Sequence, residues 1–191
     1  PSSNYEWQVQ SDCNASSSAF TSSVTFLTVS ASSFDTLVTS GTIWKYNDSG
    51  LNLGTSWRNV GFNDAAWAQG PAQLGYGDGD EATIVGYGPD PNNKYITTYF
   101  RRSFTVTNPA AYVSLVLNLV RDDGAVVYLN GTEIYRSNLP TGTIAYNTFA
   151  SAAIGGTDES AWYTAPINVS LLQNGTNTIA VVDQVKARLT A

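Results

Sequence analysis

The chain has 191 residues, 42% of them hydrophobic and only 13% charged, which suits one domain, or one domain with an arm, around a real core. A net charge of −6 and a pI near 4.4 leave no basic footprint for nucleic acid or for an anionic membrane surface. No apolar run reaches the roughly 18–20 residues that span a bilayer, so membrane insertion is not expected.

Residues 1–42 differ from the rest. They are rich in Ser and Thr, and the first basic residue is Lys45. The chain opens at Pro1 without a charged leader, so no signal peptide is expected, as in a mature, processed protein. Cys13 is the one cysteine, which excludes a disulfide framework. It is a free thiol, an intermolecular bridge, or an inert thiol. Val24, Phe26, Leu27 and Val29 form a strand-like run, and Phe34, Leu37 and Val38 a second apolar patch. The segment is too polar to make its own core and too apolar for an inert linker. It is expected to dock, either on a neighbouring subunit or back on its own domain.

From residue 43 to 191 the texture is that of an antiparallel β-domain. Short strand candidates alternate with Gly, Asn, Asp and Pro. Strands are predicted over Ile43–Tyr46 and Tyr95–Val106. Another is predicted over Val113–Leu119, with Val113, Leu115, Leu117 and Leu119 on one face. Ala125–Leu129 and Thr132–Tyr135 flank Asn130-Gly131, whose positive-φ tolerance predicts a type I′ hairpin. A late strand is predicted over Asn177–Val182. The tail Val185–Ala191 also alternates, but Asp183-Gln184 is a poor tight turn between the two. Helical periodicity is nearly absent; Asp64–Gln69 is the only stretch read as one helical turn. Many short strands with regular turns predict an all-β fold, an antiparallel β-sandwich of jelly-roll type carrying an extended N-terminal arm.

The stretches TSWRNVGFNDAAWAQGPAQLGYGDGDE (55–81), NNKYITTYFRRSFTV (92–106), RDDGAVVYLNGTEIYRSNLPTG (121–142) and NGTNTIAVV (174–182) resemble a family of bacterial extracellular modules. Those modules have the galactose-binding-like jelly-roll fold and are commonly appended to secreted hydrolases and surface proteins. The order of motifs also resembles the sugar-binding domain of β-galactosidase-type enzymes. The resemblance covers roughly residues 43–182 and implies the fold more specifically than any function. Two departures stand out. Modules of this type follow the strand resembling Ile179–Val182 with a His-containing loop and a full last strand, whereas here only Asp183-Gln184 separates it from the tail Val185–Ala191, so the sheet is expected to end abnormally with an edge left to be covered. The arm has no counterpart in the module.

Candidate sites follow from residue type. Asp78, Asp80 and Glu81 crowd one Gly-rich loop, and Asp122-Asp123 precede the hairpin. Either group can supply oxygen ligands to Ca2+, and either can be a solvated acidic turn. Flocculin-type adhesins, which resemble this pattern, place an Asp-Asp pair at such a position. No cofactor is required by anything else in the sequence. Trp57, Trp67, Tyr76 and Tyr87 are candidates to stack on sugar rings, with core packing the alternative. Arg101 and Arg102 are adjacent on a predicted strand, face opposite sides, and one is expected to be structural. Sequons at Asn14, Asn47, Asn130, Asn168 and Asn174 in a low-charge chain point to a secreted or cell-surface glycoprotein. In Asn130-Gly and Asn174-Gly the turn alone accounts for the Asn.

Without His, imidazole-based triads and metal sites are excluded, and nothing sets two carboxylates across a cleft; the chain is expected not to be an enzyme. Two functions remain. One is a structural subunit of an extracellular fibre, polymerising head-to-tail by adding the arm's strand to the next copy. The other is a carbohydrate-binding module whose partner is a glycan.

Overall fold

The computed structural model describes residues 35–77 and 79–184 and, ahead of them, the backbone of four short strands. The chain divides into two units, residues 1–36 and 37–191.

The first unit contains β1 (Ser3–Trp7), β2 (Asp12–Cys13), β3 (Ser16–Ser17) and β4 (Val24–Thr28). The expected strand at Val24 is therefore present as β4. It pairs antiparallel with β1 of the same arm, from Ser3 opposite Thr28 to Trp7 opposite Val24. Cys13 lies in β2, which pairs with β3. Asn14, Val29 and Phe34 fall outside the described residues. Leu37 and Val38 form no strand: they sit in a bend, and Leu37 packs on the core of the second unit.

The second unit is an all-β sandwich. Its strands are β5 (Ile43–Asn47), β6 (Ala68–Pro71), β7 (Leu74–Gly75), β8 (Thr83–Ile84), β9 (Thr97–Val106), β10 (Leu115–Leu119), β11 (Gly124–Leu129), β12 (Thr132–Ser137), β13 (Tyr163–Ile167) and β14 (Gly175–Gln184). Six form the main sheet in the order β12-β11-β14-β9-β5-β6, antiparallel throughout. β10 and β13 make a second antiparallel sheet. Among the described residues only the two-residue ladder of β7 and β8 is parallel.

Alternation along β9, β11 and β14 sends side chains to two faces, each with its own core. On one face Val106, Val127, Leu129 and Val181 meet Leu117 and Ile167 of the second sheet. On the other, Tyr99, Val126, Tyr128, Ala180 and Val182 are covered by a loop carrying Trp57, with Phe62 and Trp67 packed alongside. The inner strand β11 is buried along its whole length, because sheet and loop cover both of its faces.

The Asn130-Gly131 hairpin forms as expected, with φ of +52° and +86°. Asn130 does more than turn the chain. Its Nδ2 donates to the Leu171 carbonyl at 2.9 Å and to Asn177 Oδ1 at 2.8 Å, and its Oδ1 accepts from the Thr178 N–H at 2.8 Å. A glycan on Nδ2 would displace one of those two bonds.

Three local expectations need correction. Val113 lies ahead of β10 and is 90% exposed, because the chain leaves the short 3-10 turn Pro109–Ala111 before pairing with β13 starts at Leu115. Residues 64–67 form a single turn closed by the Trp67 N–H on the Asp64 carbonyl, and the chain then enters β6. Asp183-Gln184 is no turn: β14 runs through it, paired with Thr98 and Thr97 of β9 and with Ala125 and Gly124 of β11. Pairing on both sides supplies what the local sequence lacks.

Candidate functional site

The sites read from the sequence fare differently once folded. Trp57 is 3% exposed and meets Tyr99 and Tyr128 edge-on, with ring centres 4.9 and 5.8 Å apart. Its indole N–H donates to the Gly54 carbonyl at 3.2 Å. Trp67 packs against the same core, with Phe62 at 5.7 Å. Trp57 is thus a core residue with no face left for a sugar, and Trp67 is mostly occupied.

Tyr76 and Tyr87 are half-buried and pair edge-to-face at 5.1 Å. Lys94 places Nζ 4.2 Å from the centre of Tyr76 and 5.3 Å from that of Tyr87. Beyond Lys94 opens a cavity of about 310 Å3. Its walls include Gly50, Asp90, Asn93, Lys94, Tyr95 and Tyr146. Tyr95 is wedged in place: a Cβ on Gly50, whose φ is +70°, would stand 2.6 Å from the ring. Only glycine fits there. Tyr146 is 39% exposed, and its backbone is anchored from below. The Thr97 hydroxyl of β9 donates to the Tyr146 carbonyl, and Gln184 Nε2 of β14 donates to the neighbouring Ala145 carbonyl at 2.8 Å. Rigid strands therefore position a partly exposed ring on a loop.

No sequence signal singled out Tyr95 or Tyr146. The usable cue was the run Gly88-Pro-Asp-Pro-Asn-Asn-Lys-Tyr95, a turn-rich stretch with polar side chains and an aromatic end.

The acidic candidates stay apart. Asp78 lies outside the described residues, Asp80 is exposed, and Glu81 Oε2 accepts from the Gly79 N–H at 3.0 Å. Asp123, at φ +49°, accepts from the Ile154 N–H at 2.7 Å, and Asp122 is exposed. Among the described residues no three His, Cys, Asp or Glu side chains converge as metal ligands would. Asp122 and Asp123 act electrostatically instead. Burial pushes the Asp183 carboxyl well above the usual carboxylate range, and the two neighbouring carboxylates push it further. Burial also raises the Tyr76 hydroxyl, with Asp183, Asp122 and Asp123 adding to the effect.

Of the two adjacent arginines, Arg101 is the structural one. It is 1% exposed; Nε donates to Asp64 Oδ2 at 2.8 Å, and Nη1 donates to the Trp57 carbonyl and, at 3.2 Å, to that of Asn59. Arg102, on the opposite face, donates to the Ile43 carbonyl. Of the sequons, Asn168 and Asn174 are exposed, and Asn47 is half-buried with Oδ1 accepting from Ser49.

No protein-family model matches the chain, and no curated protein matches it. Solved structures do. A β-glucuronidase of an uncultured Clostridium species matches at 19% identity and a TM-score of 0.46, over 75% of this chain and 21% of that one. The β-glucuronidase of Bacteroides uniformis matches at 16% identity and 0.47, over 77% and 14%. That of Lactobacillus rhamnosus matches at 16% and 0.45, over 76% and 20%. The chain thus spans about a fifth or less of those proteins. Among the described residues no helix is long and apolar enough to cross a membrane.

Proposed function

We propose that this chain is a non-catalytic, glycan-binding β-sandwich module of an extracellular protein. One observation carries the reading: the loop cleft that combines the exposed Tyr146 ring with the polar groups of Asp90, Asn93 and Lys94. Sugar recognition needs an apolar ring face beside directional donors and acceptors, and a cavity of about 300 Å3 is at the small end of ligand sites. The paucity of charge and the exposed sequons at Asn168 and Asn174 favour a secreted setting.

The test is an immobilised-glycan screen of the full chain, with Ca2+ and with EDTA. Binding to at least one glycan class is expected, and chelation is expected to leave it unchanged, because the acidic side chains are dispersed. A blank screen in both conditions would refute the reading. Binding that vanishes with EDTA would restore calcium as a required ligand.

A second reading is assembly into a fibre through the arm. It is favoured by one feature: among the described residues β1 and β4 pair only with each other. An isolated two-stranded hairpin is marginal in water and presents edges to which a further strand can add. Negative-stain microscopy of the intact chain beside one lacking residues 1–36 checks it. Filaments from the intact chain alone are the outcome this reading expects; monomers from both would end it.

A further inference from the structure

Unpaired N–H and C=O groups on an edge strand template a further strand, so edges are where a sandwich can join another chain. Among the described residues the main sheet ends in β6 and β12, and the second sheet in β10 and β13. Three of these edges are guarded. Thr83 stands against β6, its hydroxyl donating to the Pro71 carbonyl at 2.8 Å. β12 carries the charged pair Arg136–Glu133, and its ladder with β11 shifts register between Val127 and Tyr128. β13 holds Pro166, which has no N–H to offer. β10, with the sequence Leu-Val-Leu-Asn-Leu, has no charge, no proline and no register shift.

The ladder with β13 sets which groups of β10 face outward. Pro166 lies opposite Val116 and cannot donate, so in that pair the backbone groups point away from each other. The bonds to β13 then fall on Leu115, Leu117 and Leu119, and the N–H and C=O groups of Val116 and Asn118 line the free edge. Val116 is 52% exposed, and Trp162, just ahead of β13, is 61% exposed. The Thr164 hydroxyl donates to Asn118 Oδ1 at 2.7 Å across the two strands. No charge interrupts this face. Residues 107–120 and 160–182 contain no Asp, Glu, Lys or Arg, on a chain whose net charge is −6.

We propose that β10 pairs antiparallel with β10 of a second copy, across a two-fold axis at Leu117. The strand reads nearly the same in both directions, so Val116 falls opposite Asn118 of the partner subunit and Asn118 opposite Val116 of the partner subunit. Both pairs use the outward groups, and each exchanges both of its backbone hydrogen bonds. Leu117 meets Leu117 of the partner subunit at the axis, and the inward leucine row continues from one copy to the next. Two marginal two-stranded sheets become one of four strands. Two chains of like charge repel least where neither carries charge, which favours this face over the rest of the surface. The contact is isologous and closes at the dimer.

Sedimentation velocity of the full chain over a concentration series tests this, with amide hydrogen exchange read by NMR at both ends of the series. The mass is expected to rise from 20.4 kDa to twice that value with concentration. Exchange is expected to slow at Val116 and Asn118 and to stay fast at Thr164, whose N–H faces the other edge. Val116→Pro removes one outward N–H per copy and mirrors Pro166 across the ladder. It is expected to weaken the dimer at least tenfold and to leave the melting temperature of the dilute protein unchanged. Should that variant fail to fold, Val116→Lys at the same exposed site is expected to weaken the dimer likewise, and less so in high salt. A chain that stays monomeric at NMR concentrations would overturn the proposal, as would association that survives both substitutions. Association lost on removal of residues 1–36 would assign the contact to the arm and overturn it. Filaments in place of a dimer would do the same, since a closed contact does not propagate.

Discussion

Replacing Asp64 by asparagine is expected to destabilise the sandwich by about 2–4 kcal/mol, somewhat below the roughly 3–5 kcal/mol for removing one partner of a fully buried ion pair, because Asp64 keeps part of its exposure. The reason is geometric. Arg101 projects from β9 into the core beneath the Trp57 loop, where water cannot solvate it. Asp64 is its only carboxylate partner among the described residues, at 2.8 Å, and is itself shared with Lys45 at 3.0 Å. Asparagine keeps the shape and loses the charge, so a buried guanidinium is left with carbonyl oxygens and the face of Phe62, whose centre is 5.2 Å away. For a domain of this size each kcal/mol moves the melting temperature by about 2–4 °C. Thermal unfolding at pH 7 checks the prediction; an unchanged midpoint would show that the loop, and not the pair, secures Arg101.

The same carboxylate has a pH signature. Burial alone pushes Asp64 up, but hydrogen bonds and charge from Arg101 and Lys45 outweigh it, and the group titrates below its ordinary value. The folded state therefore binds fewer protons than the unfolded one as pH falls through the carboxylate range. Its contribution is full above the unfolded value and is lost on acidification through the folded one. Asp64→Asn removes that part of the acid sensitivity.

Asp183 is expected to behave in the opposite sense. Its Oδ1 is buried with no hydrogen-bond partner, although the residue as a whole retains some exposure. Burial, then Asp122 and Asp123, raise its titration well above the ordinary value, against a weaker pull downward from the backbone N–H of Gln184 and then from Arg121. The folded state here binds more protons than the unfolded one. Stability from this group is full below the unfolded carboxylate value and is lost as pH rises towards the folded one. At neutral pH the strand thus carries an avoidable penalty. Asp183→Asn is expected to raise the melting temperature at pH 7–8 by several degrees, on the scale of a buried carboxylate that its partners only partly compensate, and to leave it nearly unchanged at pH 4. Unfolding scans of both proteins from pH 4 to 8 provide the check. Equal gains at both ends would assign the effect to packing instead of titration.

These two aspartates illustrate what local sequence can carry. The alternation in Leu115–Leu119, the β-rich run ending at Val106 and the Asn130-Gly131 turn determine strand, face and hairpin by themselves, because each depends on contacts a few residues apart. The all-β class and the absence of imidazole chemistry were equally legible. That one of the two adjacent arginines is structural followed from strand alternation; which one did not. Arg101 is chosen by a loop nearly forty residues away that delivers both Trp57 and Asp64. The Asp183-Gln184 pair reads as a weak turn and becomes strand, since β9 and β11 flank it on both sides and local preference yields to pairing. The partner of β4 was likewise invisible, because strand pairing is set by the path of the chain. The candidate site shows the same division. Aromatic residues and carboxylates were visible as types, but only folding buries Trp57, exposes Tyr146 and brings Asp90, Lys94 and Tyr146 to the lining of one cavity. Such relations depend on loops that meet in space, and no spacing along the chain encodes them.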